Sequence, residues 1–117
     1  MKKCLFICII FAGLFIIACN GNKTPPIEAT LHVWGNCDIC KATIEKSCEL
    51  NGVTEANWNK ESKLLKLKLD TSQISVTTVL EAVAKAGYDN EQFYADDYSY
   101  GALKPCCQYE RRPFDSK

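Results

Sequence analysis

Two cysteines three positions apart, within Trp34-Gly35-Asn36-Cys37-Asp38-Ile39-Cys40, are the residues of this chain best suited to do chemistry. They lie between an alternating apolar run (Leu31, Val33) and an amphipathic one (Ile44, Cys48). A strand is therefore expected to end in a loop and enter a helix at the second cysteine, which sets two sulfurs at a helix N-terminus. There the macrodipole and the unpaired backbone N–H groups favour thiolate over thiol. Two close thiolates, with no obvious carboxylate or imidazole beside them, suit a thiophilic ion of low coordination number better than magnesium or calcium. Cu(I) is the first candidate on that chemistry. The same spacing also serves a disulfide in an oxidising compartment, so a thiol–disulfide oxidoreductase or redox sensor is the alternative.

The other cysteines divide by position. Of eight, Cys4 and Cys8 fall in an apolar leader and Cys19 at its end, leaving Cys37, Cys40, Cys48, Cys106 and Cys107. Five is an odd number and does not read as a closed disulfide framework. Cys48 follows Ile44 by four positions on the apolar stripe and is expected to be a small buried hydrophobe. Cys106 and Cys107 are adjacent, a poor arrangement for holding one ion tetrahedrally together, and a vicinal disulfide would be strained. Two expectations stand side by side for them. Either the tail folds back over Cys37 and Cys40, adding a third thiolate or a covalent lock, or a disulfide ties the tail down for stability.

The elements that must position these sulfurs follow from periodicity. Residues 27–34 alternate as a strand, and 40–50 carry Ile44, Ser47 and Cys48 at helical spacing with Asn51-Gly52 as the stop. Residues 53–59 and the alternating Leu65, Leu67 and Leu69 flank a polar turn and read as a hairpin, with Lys66 and Lys68 on its solvated side. Val76, Val79, Leu80 and Val83 mark one face of a second helix, N-capped by Ser75 and ended by Gly87. Residues 90–95 are expected to form a short edge strand. The order β-α-β-β-α-β gives an α+β sandwich, two helices over one face of a four-stranded antiparallel sheet. After Asp96 no period is visible.

The first residues have the layout of a secretion signal: Lys2 and Lys3, then an apolar core over 4–18 too short for a comfortable membrane span. Its end, Ile16-Ile17-Ala18-Cys19, resembles a bacterial lipobox. That resemblance implies cleavage of a signal peptide over 1–18, lipidation of Cys19, and a lipid-anchored chain in the cell envelope outside the cytoplasm. Residues 19–26, with Pro25 and Pro26, read as a tether. The whole chain is formally neutral; without its two leader lysines it carries 12 basic against 14 acidic residues, about −2. No basic face argues for nucleic acid. There is no serine-histidine-acid set and no glycine-rich phosphate loop, so no enzyme is expected.

Residues 27–95 resemble the heavy-metal-associated domain of copper chaperones, copper-exporting ATPases and periplasmic mercury-binding proteins. Cys37-x-x-Cys40, Ile44-Glu45, Gly52-Val53, a hairpin closing at Asp70 and Ala86-Gly87-Tyr88 carry the resemblance. It implies a ferredoxin-like sandwich that binds Cu(I), or else Hg(II) or Zn(II), through two cysteine thiolates. It further implies transfer of the ion by ligand exchange with a membrane transporter or another metal-binding domain. On these residues Cys37 and Cys40 are the ligands, and Tyr88 sits in the loop that approaches the metal. Residues 96–117 lie beyond the resemblance as a cysteine-containing tail.

This chain departs from the family pattern at two places. Gly35 stands where the family has methionine, so the apolar plug under the loop must come from elsewhere, with Trp34 the expected substitute. Asp38 between the cysteines is expected to serve as an N-terminal helix charge. His32, the single histidine, is expected on the exposed sheet face. Trp34 and Trp58 are expected as core or loop supports, and Tyr94, Tyr98, Tyr100 and Tyr109 as anchors for the tail.

Overall fold

The computed structural model describes residues 25–114. The expected signal peptide, Cys19 and most of the tether lie outside the described residues. Three strands, β1 (Ile27–His32), β2 (Val53–Trp58) and β3 (Leu64–Leu69), form an antiparallel sheet in the order β1-β3-β2. Leu65, Leu67 and Leu69 of the central strand point to one face and are buried, while Lys66 and Lys68 take the other, as a period of two requires. Against the leucine stripe pack α1 (Asp38–Ser47), through Ile44, and α2 (Val76–Lys85), through Val79, Leu80 and Val83, with Cys48 closing the core beside α1. Each of the aliphatic side chains contributes about 1.5–3 kcal/mol by leaving water.

Helix ends follow their caps. Ser75 accepts from Thr78 N at 3.1 Å to start α2. Gly87, at φ +108°, ends the turn that follows it in a conformation L side chains avoid. Helix α1 begins at Asp38, two residues before the expected start, because Cys37 itself is the N-cap. It stops at Ser47 rather than reaching Leu50, since Cys48 already bonds back to Glu45 O.

The sheet has three strands among the described residues, not the four expected. The segment expected as a last strand makes one bridge, Val33↔Asn90, beside the end of β1. That position beside β1 is where the β-α-β-β-α-β order would put a fourth strand, but Asn90 turns the chain away. Its Oδ1 accepts from Gln92 N and Phe93 N, and its own N–H donates to Phe93 O. The Glu91 carboxylate then takes His32 N at 2.8 Å, replacing a ladder partner. Local side-chain bonds thus compete successfully with the ladder.

Beyond Asp96 the aperiodic stretch is ordered. Asp96 accepts from Ser99 N at 2.7 Å and caps a five-residue helix, α3 (Asp97–Gly101), which a 3-10 turn (Pro105–Cys107) follows. The chain from α3 to Phe114 straps back over the site end of the domain. Tyr109 Oη accepts from Asp89 N and donates to Gly87 O, each at 2.8 Å, while its ring stacks on Tyr88 at 5.4 Å. Arg111 grips the fully buried Asp89 with two bonds of 2.8 Å. Of the tyrosines expected to pin this segment, Tyr94, Tyr100 and Tyr109 do so. Tyr98 does not: it is 85% exposed, because α3 turns it to solvent. No helix among the described residues is long and apolar enough to cross a membrane.

Candidate metal centre

Cys37 Sγ and Cys40 Sγ lie 3.3 Å apart, and both thiols are free. Cys37, in extended backbone, turns its sulfur onto the first turn of α1 and accepts from Cys40 N at 3.4 Å. Desolvation pushes the Cys37 thiol up, but bonds from Cys40 and Ile39 N–H and from the Cys40 and Cys107 thiols outweigh it, leaving the pKa below its ordinary value. The expected thiolate-favouring helix terminus is therefore present, with the first cysteine rather than the second as the cap. Asp38 in the first turn is exposed and meets Lys60 at 3.2 Å, away from the sulfurs, as a helix N-terminal charge would.

Two clamps hold α1 in place. Glu45, paired with Lys41 at 2.6 Å, accepts from Trp58 N, and Lys41 donates to Trp58 O. This stitches the helix to the end of β2. The plug under the loop is Trp58, not Trp34. An atom added at Gly35 Cβ would lie 3.0 Å from two carbons of the Trp58 ring, so the indole fills the space a larger residue at 35 would need. Its Nε1 donates to Val33 O at 2.9 Å, satisfying the one polar atom of a fully buried ring. Trp34 instead stacks on His32 at 3.7 Å on the other side of the strand, leaving His32 half-buried rather than exposed.

The strap completes the surroundings. Cys107 Sγ lies 3.6 Å from Cys37 Sγ, and the three thiols of Cys37, Cys40 and Cys107 all fall within 4.8 Å of one another. Burial, and the neighbouring Cys37, Cys106 and Cys40 thiols, push the Cys107 thiol up to about 12. Cys106 is exposed, its sulfur 3.9 Å from that of Cys107, and no disulfide forms among the described residues. The tail thus folds back over the pair without being tied down covalently. Cys48 is buried beside α1, its thiol pushed up to about 11 chiefly by desolvation, as expected of a packing residue.

Tyr88 adjoins Cys40 and Cys107. Its hydroxyl is buried without a hydrogen-bond partner, alone in this among the buried side-chain nitrogens and oxygens of the described residues. Burial raises its pKa, and the adjoining Cys40 and Cys107 raise it further. A buried donor left unpaired costs on the order of 1–3 kcal/mol, and a thiolate beside it is the acceptor it lacks. Sequence reasoning missed Asn36, whose Oδ1 accepts from the Cys40 thiol at 3.1 Å. An asparagine before a loop cysteine signals only a turn, so nothing in the sequence marked it.

An all-sulfur donor set with a hydroxyl donor behind it fits a soft cation of low coordination number. Comparison with known proteins agrees with that chemistry. No family model matches the chain. It is 32% identical over 65 residues to the copper chaperone CopZ of Staphylococcus haemolyticus (strain JCSC1435), covering 54% of this chain and 96% of that protein. Among solved structures it is similar to the Cu(I)-loaded N-terminal domain of a potential copper-translocating P-type ATPase from Bacillus subtilis. That likeness has a TM-score of 0.53 at 28% identity and covers 56% of this chain and 84% of the other. It is also similar to the apo N-terminal domain of the zinc(II) ATPase ZiaA, with a TM-score of 0.50 at 29% identity over 80% of this chain and 82% of that one.

Proposed function

Because this chain belongs to the heavy-metal-associated domain family, of the copper-chaperone type, we propose that it binds Cu(I) between Cys37 and Cys40 and hands it on by thiolate exchange. The observation that carries the reading is the pair of unbonded sulfurs 3.3 Å apart at the start of α1, with Cys37 held toward the thiolate form. Cys40 is fully buried and Cys37 partly exposed, so an incoming partner thiolate reaches the ion from the Cys37 side. It adds before Cys37 leaves, so the ion passes between thiolates without being released and with no acid or base. The recipient or donor is a membrane metal transporter or another domain of this kind, and the chain acts as a carrier rather than an enzyme. Zn(II) and Hg(II) are the competing cargoes, Zn(II) being disfavoured by its preference for four donors.

The sequence supports a lipid anchor at Cys19 that holds the site outside the cytoplasm. Metabolic labelling with a fatty acid, lost in Cys19→Ser, is the expected outcome, and labelling that persists in the variant contradicts it. The transfer reading is tested by mixing the Cu(I)-loaded chain with a Cys-x-x-Cys domain of a copper-transporting ATPase. Copper is expected to reach that domain faster than it reaches a small chelator of equal affinity. Rapid reduction of a model disulfide, without copper transfer, would put thiol–disulfide exchange in its place.

A further inference from the structure

We propose that Cys107 is a third sulfur ligand, so that the resting site is a three-thiolate centre closed by the C-terminal strap; this rests on the Cys37–Cys40 reading above. Sulfurs separated by 3.3 and 3.6 Å, with no pair beyond 4.8 Å, share a point roughly 2.2 Å from each, against a metal–thiolate bond of about 2.3 Å. The triangle therefore already has the size of a trigonal centre. Of the two adjacent tail cysteines only Cys107 points inward, at 2% exposure, while Cys106 faces solvent.

The third corner is held by side-chain bonds of the strap. Tyr109, two residues after Cys107, is fixed by Asp89 N and Gly87 O, and Tyr100 Oη donates to Tyr109 O at 2.6 Å. Gln108 Nε2 bonds the carbonyls of Gly101 and Leu103, and Arg111 closes on Asp89. Preorganisation of this kind lowers the ordering cost of binding. The matched stretch of the Staphylococcus chaperone, 65 residues, is shorter than the 70 positions from Cys37 to Cys107, so that similarity does not span both. The third donor thus lies outside the stretch shared with that chaperone. On binding, each coordinating thiol releases its proton to solvent and no electron moves.

The test is X-ray absorption on the full chain loaded with one Cu(I), reduced with a phosphine so that no exogenous thiol supplies sulfur. Three sulfurs are expected in the parent and in Cys106→Ser, and two in Cys107→Ser. Outer contacts to metal ligands are worth about 10–100-fold in affinity, so loss of a direct ligand should weaken Cu(I) binding by at least about tenfold. Two sulfurs in the parent overturn the proposal whatever the variants do, and leave the dithiolate site standing. A parent that takes up no Cu(I) overturns both readings.

Discussion

Cys37 and Cys40 are placed by one turn of helix, whereas Cys107 is placed by a strap anchored at Gly87 and Asp89, which lie 20–22 positions from the Tyr109 and Arg111 that bond them. The local pair inherits its geometry from the backbone: once Cys37 caps α1, Cys40 can only be beside it. The distant sulfur depends on separate side-chain bonds, each of which can be removed while α1 stays formed. Local placement is robust, and distributed placement is adjustable. The two halves of the site should accordingly fail in different ways.

The largest effect is expected under the local half. Trp58→Ala removes the plug beneath the loop and the indole bond to Val33 O; it should cost about 3–5 kcal/mol in denaturant unfolding, with Cu(I) affinity falling alongside. Next comes the strap. Asp89→Ala removes the buried carboxylate shared by the Arg111 guanidinium and the Ala95 and Arg112 N–H groups. A loss of about 3 kcal/mol is expected from breaking such a pair, and Cys107 should become open to alkylation while Cys37 and Cys40 keep their pairing.

The same carboxylate sets an acid limit. Burial raises the Asp89 pKa, but Arg111 and the Ala95 and Arg112 N–H groups lower it more, and the net is below the ordinary value. Its contribution is therefore complete above the unfolded carboxylate pKa and is lost as pH falls through the folded one. Acid titration should release the strap and expose Cys107 in the parent, and Asp89→Ala should show no further exposure over that range.

A smaller effect is expected at Gly35. Gly35→Ala puts a methyl 3.0 Å from the Trp58 ring and should cost about 1–2 kcal/mol, as overpacking does. Gly35→Met should be tolerated only together with a smaller residue at 58, since both side chains claim one space. The smallest signal is kinetic. Iodoacetamide should modify Cys37 at pH values below those needed for an ordinary thiol, and Cys107, at about 12, should react last. Reaction at the two sites with one shared pH profile would remove the distinction between them.

How much the sequence disclosed follows the same division. The leucine alternation at 65, 67 and 69, the Ser75 cap and the Cys-x-x-Cys at a helix start are local patterns, and each appears in the fold, the helix starting two residues early. The fourth strand does not, because Asn90 satisfies its neighbours' N–H groups with its own side chain, which strand periodicity cannot register. The plug went to Trp58 rather than Trp34 because the hairpin register brings the end of β2 beside the loop. The Asp96 cap of α3 went unread, because a five-residue helix shows no apolar period. The bond between Asp89 and Arg111, 22 positions apart, carried no such local mark.

The central claim is tested most directly by a competition titration of the reduced full-length chain with Cu(I) against a chromophoric chelator, beside the Cys37→Ser/Cys40→Ser variant. One ion bound tightly per chain, and lost in the double variant, is the result expected. No competition by the parent, or equal competition by parent and variant, would contradict it.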